Sequence, residues 1–257
     1  YAGDKSSDEN VDFLIEKGKL LWEQRTNVEA LKEADHFISL ASNKRPLDFN
    51  LSILHSKIKF NIAKNIEIDP KLKDSLFLVG AKISRKAVLN HEKILLLLNE
   101  SFLDSSSKVL DVINNSPKEV VPGLFWWAEN LAHYLVEQPV IERLNNRELL
   151  EVLMNRVLAL DPGFNYSGPY RFFGQLYTRI PGIELSQSEI YFKQSIDSNP
   201  EYLFNWISYA EYYHQKNGNR EQYNKILKEI LGRDINQYPE IMNDNYFSKI
   251  YARKLLE

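Results

Sequence analysis

Apolar residues recur at three- and four-residue intervals along most of the chain, and short polar stretches carrying its few glycines and prolines interrupt them. This spacing predicts helices and no sheet. Phe13, Leu14, Lys17, Leu20 and Leu21 open one segment; Leu31, Ala34, Phe37, Ile38 and Ala41 continue a second, which stops at Arg45 and Pro46. The two are expected to pair as a helical hairpin about residues 26–27.

The second half repeats this grammar more clearly. A helix over residues 146–160 carries Leu150, Met154 and Val157 and ends at Asp161 and Pro162. Tyr170, Phe173, Gly174 and Tyr177 then give a large, large, small, large face, and Phe192, Ser195 and Pro200 close the following helix. Leu203, Phe204, Ile207, Ser208 and Tyr212 open a further pair that ends near Leu231 and Gly232. Pro162 and Pro200 are 38 residues apart, against roughly 34 for a tetratricopeptide unit, and an insertion at residues 179–182 accounts for the excess. Leu21, Ala34, Ile38, Ala41 and Pro46 occupy the slots of the same pattern.

Between residues 53 and 113 the repeat marks are missing, so a divergent hairpin closed by a polar turn at residues 104–108 is expected. An amphipathic helix over residues 246–256 is expected to cap the stack. The fold class read from this is all-α, with tetratricopeptide-like hairpins stacked into a compact superhelix. Residues 1–10, YAGDKSSDEN, read as a flexible polar tether, and residues 11–257 as a single helical repeat domain.

Composition narrows the function classes. At 257 residues and 44% apolar content, the chain can bury a large core. Its formal charge of -3 arises from 32 basic and 35 acidic residues spread along the chain, so no basic stripe favours nucleic acid. The absence of cysteine removes disulfides and thiolate chemistry. The longest apolar run, residues 94–98, falls far short of the roughly 20 residues that cross a bilayer.

Motifs for chemistry are sparse. Neither G-x-G-x-x-G, the P-loop pattern nor a G-x-S-x-G elbow occurs, and five histidines are scattered without metal-ligand spacing, so no metal or cofactor is expected. Glu129 and His133 are one helical turn apart and could act as an acid–base unit, but a solvent-facing pair is the expected reading. Aromatic residues crowd residues 125–127, 164–177 and 202–213, which suits either a ligand groove or core packing. The stretch Asn165-Tyr166-Ser167-Gly168-Pro169-Tyr170-Arg171 ends on a cation at the head of a helix, against the macrodipole. A carboxylate from a neighbouring helix or from a ligand is expected to meet it.

Several blocks together resemble a known family: G-K-L-L-W-x-x-R at residues 18–25, L-F-W-W-A-E-N-L at 124–131, L-D-P-G-F-N-Y-S-G-P-Y-R-F-F-G at 160–174, and Y-F-K-x-S-I-x-x-N-P-E-Y-L at 191–203. Asn245, Lys249, Ala252, Leu255 and Leu256 match its tail. The chain is similar to the TatT family, the tetratricopeptide-repeat lipoproteins associated with tripartite ATP-independent periplasmic (TRAP) transporters. The resemblance implies a periplasmic helical protein, held by lipid on a cysteine upstream of Tyr1. It implies a trimer with pores through its protomers, and a periplasmic solute-binding protein as partner, delivering organic ligands. Trp126, Trp127, Tyr166, Tyr170 and Arg171 are the candidate ligand or partner contacts, with the aromatics lining a path for a carboxylate or hydrophobic ligand and Arg171 fixing an anion. The alternatives are an adaptor that binds peptides in a concave groove, or an enzyme with carboxylates in a helical cavity.

Overall fold

The computed structural model describes residues 2–100 and 105–257. Among the described residues every regular element is helical, and the chain divides into two compact units, Tyr1–Leu160 and Asp161–Glu257. The division falls between Leu160 and Asp161, at the Asp161–Pro162 pair where the sequence places a helix terminator.

The first unit holds α1 (Ala2–Glu23), α2 (Val28–Lys44), α3 (Phe49–Asn65), α4 (Pro70–Leu89), α5 (Glu92–Glu100), α6 (Ser105–Asn114), α7 (Val121–Leu135), α8 (Val140–Asn145) and α9 (Arg147–Leu160). The backbone of residues 2–10, expected as a tether, is the first part of α1. The turn expected at residues 104–108 begins outside the described residues, and Ser105 onward is already helix.

Local chemistry fixes several starts. Asn27 Oδ1 accepts the amides of Glu29 and Ala30 at 2.9 and 3.1 Å, and Asp48 and Asp69 cap α3 and α4 in the same way. Pro70 occupies the first turn of α4, where its missing N–H costs nothing.

Helices α1 and α2 form the predicted hairpin. Leu31, Ala34, Ile38 and Ala41 are fully buried against Val11, Ile15, Leu21 and Trp22. Phe13 and Leu20, expected on the apolar face, are exposed. The inward stripe of α1 runs through Val11, Ile15, Gly18 and Trp22, and a residue two places from it lies about 200° away around the helix.

Helices α4 and α7 approach closely at two levels. A Cβ on Gly80 would overlap the Asn130 amide, and one on Gly123 would lie 2.5 Å from Val88 Cγ2. Beside the first notch runs a buried polar network. Ser84 Oγ and Asn130 Nδ2 donate to Ser56 Oγ at 2.6 and 3.1 Å, and Ser56 Oγ donates to the Gly80 carbonyl at 2.9 Å.

The second unit holds α10 (Phe164–Tyr177), α11 (Leu185–Ser198), α12 (Leu203–Ser208), which continues into a π-helical turn over Tyr209–His214, α13 (Arg220–Gly232) and α14 (Met242–Leu256). The α10–α11 hairpin depends on Gly174, whose Cβ would lie 2.7 Å from the Phe192 ring. Phe192, Ile207, Ala210, Leu227 and Ala252 form the fully buried centre of its core. Helix α14, four residues longer at its start than the sequence predicts, packs on α12 and α13.

Candidate functional site

The turn at residues 164–167 opens α10, but it is not right-handed. Asn165 (φ 49°, ψ 50°), Tyr166 (φ 56°, ψ 57°) and Ser167 (φ 60°, ψ 33°) form three consecutive left-handed residues, and the right-handed helix starts only at Gly168 and Pro169. Asparagine tolerates this region, whereas a bulky tyrosine there is an outlier. For L-residues the conformation costs about 1–2 kcal/mol each. The surrounding structure must therefore hold it.

Four interactions do so. Ser167 Oγ donates to Asn199 Oδ1 at 2.7 Å, and the Ser167 amide donates to the Gly163 carbonyl at 3.2 Å. The Tyr166 ring stacks on Tyr202, with centroids 4.7 Å apart and planes 13° from parallel. Asn205 Nδ2 donates to the Tyr166 carbonyl at 3.2 Å and also reaches the carbonyls of Ser195 and Asn199.

Asn205 also meets the cation. Its Oδ1 accepts Arg171 Nη1 at 2.7 Å, and the guanidinium lies 5.3 Å from the Tyr202 ring centre and 5.2 Å from that of Phe204. Arg171 is only 2% exposed, and its Nε has no hydrogen-bond acceptor. Among the described residues no carboxylate lies within ion-pair distance of it. The neighbouring-helix carboxylate expected from the sequence is replaced by a neutral amide.

A regular pattern extends from this point. Ser167, Arg171 and Gln175 on α10, and Arg179 two residues past its end, recur every four residues and bond in turn to Asn199, Asn205, Ser208 and Tyr212. The seam is polar along its length, which accounts for the burial of Arg171 and Gln175 on the side of α10 that meets α12. Its i, i+4 spacing was present in the sequence, but the aromatic density of the same stretch obscured it. Tyr170, off the seam and half-buried, lies 6.4 Å from Tyr191, whose ring also packs against Phe173 and Tyr177.

The π-helical turn supplies a second polar cluster. Tyr209 and Tyr213 each donate a hydroxyl to Glu189 at 2.9 Å, and Lys193 pairs with that carboxylate at 2.8 Å. Burial, reinforced by the Glu189 charge, raises both phenols above their ordinary range. The hydrogen bond from Lys193 contributes most to holding the Glu189 carboxyl below its own. A cleft of about 370 Å³ opens elsewhere in this unit between Pro200, Leu203, Arg233, Ile235, Tyr238 and Asn245. The tail residues act structurally: Asn245 Oδ1 accepts the Leu203 amide at 2.9 Å, and Lys249 Nζ donates to the Arg233 carbonyl at 2.7 Å.

Trp126 and Trp127 lie in the first unit, on α7, and both are buried. Trp126 meets the Phe60 ring edge-on at 5.3 Å with the Lys57 ammonium 5.7 Å away, and Arg85 lies 5.9 Å from Trp127. Glu129 and His133 do not face solvent. Glu129 is 5% exposed, and the His133 ring packs 4.9 and 5.0 Å from Phe60 and Phe77, with Nδ1 3.7 Å from the Glu129 carboxylate. Nearby on α3, burial holds His55 well below the ordinary imidazole range, at about 4, with Lys59 adding to the effect and Asp35 opposing it.

Among the described residues no group of side chains is arranged to hold a metal ion, and no helix is long and apolar enough to cross a membrane. These features define an all-helical protein of paired helices whose most specialised side chains form a buried polar seam in its C-terminal unit. The chain belongs to the TRAP transporter T-component family, whose family model matches residues 61–257. It is thus a TRAP transporter component, as the motif blocks implied, although the block at residues 18–25 lies outside the matched span. A comparison with curated proteins found no match.

Proposed function

We propose that the chain is a non-enzymatic periplasmic component of a TRAP-type solute-uptake system, a scaffold that binds a solute-receptor protein and binds or passes small organic ligands through an internal pore. The family match over residues 61–257 carries this reading. A lipid anchor preceding Tyr1 and assembly as a homotrimer belong to the same proposal. The hairpins are read as tetratricopeptide-like. Gly18 against Ile38 and Gly174 against Phe192 support that reading, because both let a second helix seat a large residue on the first.

In this proposal Tyr166, Tyr170 and Arg171 make the ligand or receptor contacts in the C-terminal unit, and the buried Trp126 and Trp127 line a ligand path in the first. The test is capture of a TRAP solute receptor by the immobilised chain, with mass from light scattering after size-exclusion chromatography. A trimer that retains the receptor is the expected result. A strict monomer at high concentration that retains no receptor overturns the reading.

A further inference from the structure

Helix α14 buries Asn245, Ser248 and Ala252, and its opposite side is apolar as well. Met242, Tyr246 and Ile250 recur there every four residues and are 38, 40 and 45% exposed, and Tyr238, just before the helix, is 41% exposed. Positions four apart lie within about 40° of one another around a helix, so the three helical side chains form one ridge. At these exposures, and at about 200 Å² for each whole side chain, the four present roughly 300 Å² of apolar surface, the size at which a patch on a monomer is often functional. A helix that closes a stack ordinarily carries a polar outer face instead.

The charges around the ridge decide what it meets. Glu240 is exposed before its N-terminal end, and Arg253 and Lys254 are exposed beyond its C-terminal end. The ridge is therefore complementary to its own reverse. When two copies cross antiparallel at Tyr246, Met242 of each lies level with Ile250 of the other, four positions either side of the crossing. Glu240, six positions before Tyr246, falls beside Arg253, seven positions after it, and Tyr238 falls level with Lys254, each eight positions away. These pairings set an acid against a base and an aromatic ring against a cation. Lys249 falls level with Asn243 and Asp244 with Ser248, so no like charges are opposed. A parallel pairing would instead set Arg253 against Arg253 and Glu240 against Glu240. Interdigitation of ridges four residues apart is also the commonest way for two helices to pack.

We infer that the outer ridge of α14 is a two-fold docking surface whose occupant is the same ridge of a second copy of this chain. The contact does not rest on the receptor or ligand readings above, and it goes beyond the trimer proposed there. A two-fold axis joins two monomers into a dimer, or two trimers into a hexamer. The apolar area is well below the roughly 800 Å² per partner of a stable complex, so the association is weak and grows with concentration.

The chain has no cysteine, so a single introduced thiol reports the geometry. The thiols of two Tyr246→Cys copies face each other across the axis, within disulfide range. Those of two Met242→Cys copies are about 12 Å apart along the helix, beyond that range. With diamide as the oxidant that takes up the two electrons and two protons released, Tyr246→Cys should give a disulfide-linked dimer and Met242→Cys alone none. A mixture of Met242→Cys with Ile250→Cys should cross-link again. In light scattering the mass of the unsubstituted chain should double as concentration rises, and Tyr246→Lys, which opposes two ammonium groups, should raise the concentration of half-association at least about tenfold. Equal cross-linking of Tyr246→Cys and Met242→Cys overturns the inference, as does a mass that stays at one or three chains at the highest concentration. Two chains support the ridge contact without the trimer, six support both, and three refute the ridge contact alone.

Discussion

The handedness of the turn at residues 165–167 gives a prediction with an unusual sign. Tyr166→Ala and Tyr166→Gly lose the same ring stack on Tyr202 and the same half-buried side chain, so the difference between them isolates the backbone. At φ 56° and ψ 57°, alanine bears about 1–2 kcal/mol of steric cost that glycine escapes. Against this, glycine loses about 0.4–1 kcal/mol more conformational freedom on folding. Tyr166→Gly should therefore be the more stable variant by about 1 kcal/mol. At an ordinary exposed helix position such as Gln194, in the middle of α11, the order reverses, and alanine leads by about 1 kcal/mol. The comparison is made by urea unfolding of the four variants followed by circular dichroism, using variants with equal slopes. If Tyr166→Ala equals or exceeds Tyr166→Gly in stability, the turn carries no left-handed strain.

Three further outcomes follow from other parts of the fold. Gly174→Ala sets a methyl against the Phe192 ring and should destabilise by about 1–2 kcal/mol after its helix-propensity gain, whereas Gly232→Ala, with nothing within 4 Å of its Cβ, should be neutral or stabilising by up to about 1 kcal/mol; matched denaturant curves decide it. His55 is held neutral in the fold to about pH 4 while the unfolded chain protonates near 6.5. Between those values the unfolded state binds more protons, so about 3 kcal/mol of stability is lost as pH falls through that window. His55→Gln should flatten this part of the stability–pH curve, and parallel curves for the two proteins refute the assignment. Asn245→Ala removes the acceptor for the Leu203 amide and the donor to the Glu201 carbonyl and should cost about 2–3 kcal/mol. Asn245→Asp, keeping the acceptor alone, should recover part of it in the same unfolding assay.

Helix boundaries were legible where local chemistry sets them. The turn about Asn27 and the break at Pro162 were read from the sequence, and Asn27 acts through the amides of its near neighbours Glu29 and Ala30. The small position at Gly174 was also readable, because a repeat with large residues around one small one needs a close contact there. The left-handed turn was not. Turn rules assign positive φ to glycine, yet here Gly168 begins the right-handed helix while Asn165, Tyr166 and Ser167 carry the turn. What holds them is Asn199 and Asn205, more than thirty residues on. The burial of Glu129 and His133 was hidden for the same reason, since Phe60 and Phe77 arrive from other helices. Arg171 was singled out by its conflict with the helix dipole, but the amide that meets it could not be foreseen from local sequence.

The two notches between α4 and α7 bear on how the first unit can move. Gly80 receives the Asn130 amide near the middle of α4, and eight residues further along α4 the Val88 side chain enters the notch at Gly123 of α7, 2.5 Å from its Cβ position, so each helix is keyed into the other. Sliding by one residue would drive those side chains against ordinary Cβ atoms or backbone, which removes shear from the motions open to this pair. Helices α4 and α7 thus behave as a single rigid bar. Any rearrangement within the first unit has to pivot at the ends of that bar, and a tag placed midway along it should report no internal displacement.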